Sequence, residues 1–381
     1  MRNTRIEVNL TRLENNYRHL RQIHAQGRIM TVIKADAYGH GLLPIARFLQ
    51  TLGQDLFGVA LVEEALALRT GGVTGRILVL GPPPQGSREV YAAHGIEMTV
   101  PSLPHLALAM GQPGDPEISA HLKLDTGMGR IGFQEPHLAE LLSRLKHQGR
   151  LRILGLFSHL AESETLSSDF SEQQRTRFNT WLMRLRELPA LTQAQAHLAN
   201  SAALLRNPDF HYDFARVGHG LWAPLDFEPA ERAPEANAHL LPVMRLICPV
   251  THVKTLSEGD SVGYSRTYRG QAGEVIATLP IGYGDGFPRA LSNQGRVSLR
   301  GVPFPIVGNV SMDQTTFSLG RDPRVSIQVG DEVVLLGDPP QEPGLSEVAR
   351  TAGTISYQIM TGLNHRIPRI YLYQGREIPE P

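Results

Sequence analysis

Ile29-Met30-Thr31-Val32-Ile33-Lys34 is the stretch that decides the fold of the first part of this chain. It is a short apolar, β-rich run that stops at a charged residue, and Gly39 and Gly41 follow as marks of a tight turn into a helix. The pattern returns at residues 56–61, 77–80, 96–100, 120–124, 153–157, 195–199 and 214–217. Amphipathic segments such as 62–69 and 178–185 lie between these runs and carry apolar residues at helical spacing. Strands alternating with helices in this number predict an α/β fold, a (β/α)8 TIM-type barrel, with an open doubly wound sheet as the competing arrangement. The residues that end or follow the runs favour the barrel. Lys34, Asp125, His159, Asn200 and Arg216 are polar or charged, and barrel enzymes carry their chemistry where strands end, at the mouth.

Beyond about residue 230 the texture changes. Residues 230–237 read as a linker, after which short β-runs are separated by turns at 258–260, 269–273, 292–295 and 329–331. One helical segment, 345–350, interrupts them. The expected organisation is a barrel over 11–230 and a C-terminal, mainly antiparallel β domain over 231–381, with an N-terminal strand within 1–10 joining the second domain.

Composition narrows the function classes. The 381 residues include 37 Lys plus Arg against 37 Asp plus Glu, and a net charge of zero argues against a nucleic-acid partner or a membrane surface. Cys248 is the single cysteine, so no intrachain disulfide can form, and its apolar neighbours make it a core residue. No signal-peptide pattern or apolar stretch of ~20 residues is present, so a cytoplasmic location is expected. The histidines lack metal-ligand spacing, which predicts no metal site, and His19, His24 and His147 read as members of solvated helix faces. Gly282-Tyr283-Gly284-Asp285-Gly286 lacks the context of a nucleotide-binding loop.

Taken alone, Lys34 is a snorkelling surface lysine, Tyr264 a packed strand tyrosine, Arg216 an ion-paired arginine and Met312 a core methionine. A desolvated lysine amine is also the group that forms Schiff bases. Val32-Ile33-Lys34-Ala35-Asp36-Ala37-Tyr38-Gly39-His40-Gly41 resembles the cofactor-lysine motif of the alanine racemases. The resemblance continues in order through Lys123-Leu124-Asp125-Thr126-Gly127-Met128-Gly129-Arg130, Phe157-Ser158-His159, Ala199-Asn200-Ser201, Arg216-Val217-Gly218, Val262-Gly263-Tyr264, Asn309-Val310-Ser311-Met312-Asp313 and Ile355-Ser356-Tyr357.

That resemblance implies a barrel plus a β domain, pyridoxal 5'-phosphate as cofactor, and interconversion of L- and D-alanine for cell-wall peptidoglycan. It implies Lys34 as cofactor lysine and first base, and Tyr264 as second base on the opposite face of the substrate. It places Tyr38, Arg130, His159, Asn200, Ser201, Arg216, Gly218, His219 and Tyr357 at the cofactor, with Arg216 at the ring nitrogen. Arg130, Met312 and Asp313 are implied to hold the substrate, and Lys123 to be carbamylated. The resemblance also implies a homodimer with shared active sites. Here the residue after Gly218 is His219, where the family commonly has an aliphatic residue. A racemase of broader substrate range, a non-catalytic carrier of the cofactor, and a barrel decarboxylase are the alternatives. The carriers generally lack a second domain, so residues 240–381 argue against that reading.

Overall fold

In the computed structural model, which describes residues 3–147, 149–321 and 325–381, the eight expected runs form eight parallel strands. Numbering in chain order from the N-terminal strand β1 (Arg5–Asn9), these are β2 (Arg28–Val32), β3 (Leu56–Val59), β4 (Arg76–Val79), β5 (Met98–Val100), β6 (Ile118–Lys123), β7 (Leu151–Phe157), β8 (Gln195–His197) and β9 (Phe214–Val217).

They pair as two parallel sheets, β4-β3-β2-β9 and β5-β6-β7-β8. Backbone hydrogen bonds across both seams close the ring. Val79 donates to Glu97 (3.1 Å) and Glu97 to Ile77 (2.8 Å), while Asp213 donates to Ala196 (3.0 Å) and Arg216 to Ala199 (2.9 Å). An open sheet would leave both edges unpaired, so the barrel is the arrangement formed. Its strands are almost wholly buried, as a barrel lined by side chains and wrapped in helices requires: β3 and β9 bury every residue.

The chain divides into two compact units. One comprises Glu14–Ala37 and Leu42–Leu241 and holds the barrel. Within it the side chain of Asn237 accepts from Leu225 N (2.8 Å) and donates to Leu225 O (3.0 Å), which fastens residues 230–241 to the barrel unit. The other comprises Met1–Leu13, Tyr38–Gly41 and Pro242–Glu380. Its largest sheet has seven strands, all pairs antiparallel except β1 against Arg369–Tyr373. Cys248 lies in this sheet, fully buried, with Sγ 3.1 Å from Thr4 Oγ1.

His24 departs from the solvated position expected of it. It is buried, its ring packs edge-on to His211 at 4.8 Å between centroids, and among the described residues its Nε2 has no hydrogen-bond partner. Among the described residues no helix is long and apolar enough to cross a membrane, and no cluster of three or more His, Cys, Asp or Glu could hold a metal ion.

Candidate active site

At the C-terminal ends of the barrel strands the sequence places a cluster of basic groups with few carboxylates to offset them. Lys34 follows β2 directly. Its turn, Lys34–Gly39, is left-handed, with φ of +52° to +56° at residues 35–38 and +80° at Gly39. Glu64 caps this turn and the next helix together, accepting from Ala35 N (2.6 Å), Ala60 N (2.7 Å) and Leu61 N (3.1 Å). Burial, then Arg130 and then Arg216 push the Lys34 amine below its ordinary range, and Glu64 opposes them.

Lys123 ends β6 and is 3% exposed. Among the described residues its Nζ has no hydrogen-bond partner, and it lies 4.9 Å from the centroid of the Phe157 ring. Burial, with Arg216 and Arg130 nearby, drives its pKa well below that of a free lysine. The loop after it folds back tightly. Asp125 accepts from Gly127 N (3.0 Å) and Gly129 N (3.1 Å), and a Cβ on Gly132 would stand 2.6 Å from Asp125 N. Asp125 is thus a loop brace, and the loop presents Arg130, exposed and without an ion pair among the described residues.

Arg216, on β9, is no ordinary ion-paired arginine: among the described residues no carboxylate lies within ion-pair distance of it. Its Nη1 donates to His197 Nδ1 (3.0 Å) and His197 O (2.9 Å). Its Nη2 donates to Ser158 O (2.7 Å), Leu198 O (3.0 Å) and His159 Nδ1 (3.3 Å). Burial and Arg130 push it down to about 9, so it stays charged at neutral pH. His159 faces the opposite pressure. Burial and the surrounding cations hold its pKa well below the usual histidine value, so the ring is neutral, with Nδ1 as acceptor.

Past β8, Asn200 caps the helix Ser201–Arg206, its Oδ1 accepting from Ala203 N (2.9 Å) while Nδ2 donates to Ser163 Oγ (2.6 Å). Ser201 Oγ accepts from Gly218 N (3.1 Å) and Gly220 N (3.2 Å). With both acceptor positions used, the hydroxyl keeps its proton for an outside acceptor. The ring of His219 turns away into its own loop, where Nε2 meets Pro224 O at 3.1 Å.

The remaining expected residues belong to the β unit. Tyr264 is 73% exposed and Met312 54% exposed, so neither is packed as a core residue. They line one open hollow with Gly263, Ser311, Asp313 and Arg366. The glycines of the 282–286 segment explain its composition: a Cβ on Gly282 would stand 2.1 Å from Ser311 O, and Gly284 N donates to Met312 O (2.8 Å). This contact fixes the loop that carries Met312. Asp313 is held by Arg366 at 2.6 Å. Tyr38 and Tyr357 stand together, ring centroids 6.1 Å apart, with burial raising the Tyr38 phenol. Sequence reading gave no role to His121, His197, Glu97 or Glu64, because none lies in a motif and their partners are distant in sequence.

Comparison with known proteins agrees with this arrangement. Residues 8–225 match the family profile for the N-terminal domain of alanine racemase, and residues 243–371 match that for its C-terminal domain. The alanine racemase of Carboxydothermus hydrogenoformans is 37% identical over 98% of this chain and 100% of its own. That of Symbiobacterium thermophilum is 38% identical over 97% of each. Among solved structures, alanine racemase from Bacillus anthracis with bound L-Ala-P superposes with a TM-score of 0.91 at 32% identity, covering 100% of this chain and 97% of that one. The Bartonella henselae enzyme with covalently bound pyridoxal phosphate gives 0.87 at 30%, covering 97% and 99%. With both halves matched and the relatives similar end to end, the chain belongs to the alanine racemase family.

Proposed function

We propose that this protein is a pyridoxal-phosphate-dependent alanine racemase, interconverting L- and D-alanine. The observation that carries the reading is the barrel mouth. A lysine of lowered pKa and a buried, charged arginine stand there, and among the described residues no carboxylate lies within ion-pair distance of either.

The residues fit the cofactor. Ser201, with its free proton, and the Gly218 backbone suit an anionic phosphate, and Asn200 orders the helix start beside them. The family resemblance adds Tyr357, Tyr38 and the His219 backbone to the residues proposed to bind the cofactor. Arg216, which cannot take a proton from a ring nitrogen, suits a cofactor whose pyridine stays unprotonated. When bound, pyridoxal phosphate supplies electron withdrawal that acidifies the substrate Cα–H. Lys34 holds the cofactor covalently and, once freed, moves the proton on one face of Cα. Tyr264 moves it on the other. Arg130 offers a two-pronged guanidinium to the substrate carboxylate, with Met312 and Asp313 completing that end.

Lys123 is a buried amine with no hydrogen-bond partner among the described residues and a pKa well below that of a free lysine, and a neutral amine is the form that adds carbon dioxide. A carbamate there would replace the missing anion beside Arg130. The exposure of Tyr264 and Met312 in one open hollow of the β unit supports a homodimer in which the partner subunit's Tyr264 and the partner subunit's Met312 complete each barrel. D-alanine made in the cytoplasm would supply peptidoglycan precursors.

The test is conversion of L-alanine to D-alanine with added pyridoxal phosphate and a chiral readout. Approach to an equal mixture from either enantiomer supports the reading. A reducible lysine imine without conversion of alanine would shift it to another amino acid or to the carrier.

A further inference from the structure

Arg216 is the last member of a buried polar chain that crosses the barrel from its opposite rim. The chain begins at Arg76, the first residue of β4, which donates to Glu97 from Nε (2.5 Å) and Nη2 (3.1 Å). Glu97 Oε2 faces Nε2 of His121 at 2.9 Å. Nδ1 of His121 faces Nε2 of His197 at 2.9 Å, and Nδ1 of His197 faces Arg216 Nη1 at 3.0 Å. Glu97, His121, His197 and Arg216 are each 5% exposed or less, so water cannot repair a mismatch.

The two ends dictate every proton between them. A carboxylate only accepts and a guanidinium only donates. His121 must therefore carry hydrogen on Nε2, which leaves a lone pair on Nδ1. His197 must then place its hydrogen on Nε2 as well, leaving its Nδ1 to receive Arg216. Any other assignment sets two hydrogens or two lone pairs face to face in a buried gap. Both rings are neutral in this scheme, in agreement with the lowering of both, at His197 by burial and then Arg216, and at His121 by burial, which Glu97 opposes without overcoming. Packing prevents the rings from turning. His197 is stacked between Phe157 (4.7 Å, 4°) and Phe214 (4.0 Å, 23°), and His121 meets the same two rings edge-on at 6.3 Å.

We infer that Glu97, clamped by Arg76, is a positioning residue for Arg216. Its fixed charge sets the tautomers of His121 and His197, so that the arginine meets a lone pair and is held in one orientation at the mouth. The effect on catalysis rests on the proposed racemase reading; the tautomer assignment does not.

Neutron diffraction from deuterated holoenzyme crystals reads the tautomers directly. Deuterium on Nε2 of both His121 and His197, with none on either Nδ1, is expected, and deuterium on either Nδ1 overturns the inference. Glu97→Leu should lower kcat in both directions by roughly tenfold to a hundredfold with KM and imine absorption retained, the range typical of lost outer-shell partners. Glu97→Gln, which still offers an oxygen to His121 while Arg76 keeps its existing bond from Nη1 to Gln195 Oε1 (3.2 Å), should recover most of the loss. A Glu97→Leu enzyme within twofold of the parent, or a Glu97→Gln enzyme no better than Glu97→Leu, refutes the positioning role. Should the parent fail to racemise alanine, the racemase reading falls and the neutron result alone decides the tautomer assignment.

Discussion

Gly155→Ala adds one methyl group at the most confined point of the barrel. The new Cβ would stand 2.2 Å from His121 Nδ1, 2.6 Å from its Cε1 and 3.1 Å from Gln195 O. Ordinary contact begins near 3.4 Å, so the His121 ring must move by about an ångström. It has nowhere to go, being fully buried and hydrogen-bonded at both nitrogens. Overpacking of this kind costs about 1–3 kcal/mol. Parting His121 from His197 leaves buried polar atoms unmet, for about another 1–3 kcal/mol. The sum, about 2–6 kcal/mol, should lower the thermal midpoint of the barrel unit by about 2–4 °C per kcal/mol. Gly362→Ala is the control, because its Cβ would have only Gly286 O at 3.8 Å for a neighbour. Its stability should change by about 1 kcal/mol or less. The mechanism is checked by a double-mutant cycle. In a His121→Ala background, Gly155→Ala should cost less than about 1 kcal/mol, since the obstructing ring is gone. Equal costs in the two backgrounds would refute the steric argument, as would a Gly155→Ala protein as stable as the parent.

Four further outcomes are expected. Lys34→Ala should lose both the imine absorption and the racemisation, and retained imine absorption would remove Lys34 from the cofactor. Tyr264→Phe should suppress Cα proton exchange from one enantiomer more than from the other; equal suppression in single-turnover exchange would contradict the two-base scheme. Growth or incubation with 13C-bicarbonate should give a carbamate carbon signal that Lys123→Met removes, and no difference between the two proteins would refute carbamylation. His24 is held down to about 4 by burial and His211, against about 6.5 unfolded, so the fold favours its neutral form. The stability linked to it, about 3 kcal/mol, is complete above pH 6.5 and lost as pH falls through 4; denaturation at a series of pH values should show His24→Phe flattening that slope.

The fold class was legible because its evidence is local. Each of the eight runs is apolar, short and bounded by turn chemistry, and the strand count with alternating helices points to a parallel α/β fold, barrel or open sheet. Closure was favoured only by the polar residues at the strand ends. It depends on hydrogen bonds between Val79 and Glu97 and between Asp213 and Ala196, pairs that no periodicity marks. The barrel-mouth residues were legible for a similar reason, since they sit at strand ends and inside quotable motifs. His24, at the turn that follows the helix Leu10–Ile23, reads as solvated because nothing near it in sequence reveals that His211, nearly two hundred residues later, covers it. Glu97 and His121 were invisible for the same cause. Each reads as a polar interruption of a strand, and only the barrel makes them neighbours.

The left-handed turn after Lys34 is the sharpest conflict between local sequence and fold. Ala35, Asp36, Ala37 and Tyr38 all have positive φ, and none is glycine. Such residues cost roughly 1–2 kcal/mol each in that conformation, about 4–8 kcal/mol for the four. Ala and Tyr have no side-chain means of offsetting it locally. The compensation comes from specific anchors: Ala37 N bonded to Ile33 O (2.9 Å), Glu64 on Ala35 N, and Asp36 Oδ1 accepting from Leu42 N (2.7 Å). A right-handed helix begun at Lys34 would need none of them. Strain of this size persists only where the surroundings over-determine it, and such places cluster where a group must be held in one position. Here the group is the amine of Lys34, partly desolvated and set among cations, which a relaxed helix would aim elsewhere. A segment that reads as a tight turn into a helix is therefore the place where the fold spends stability on holding the Lys34 amine.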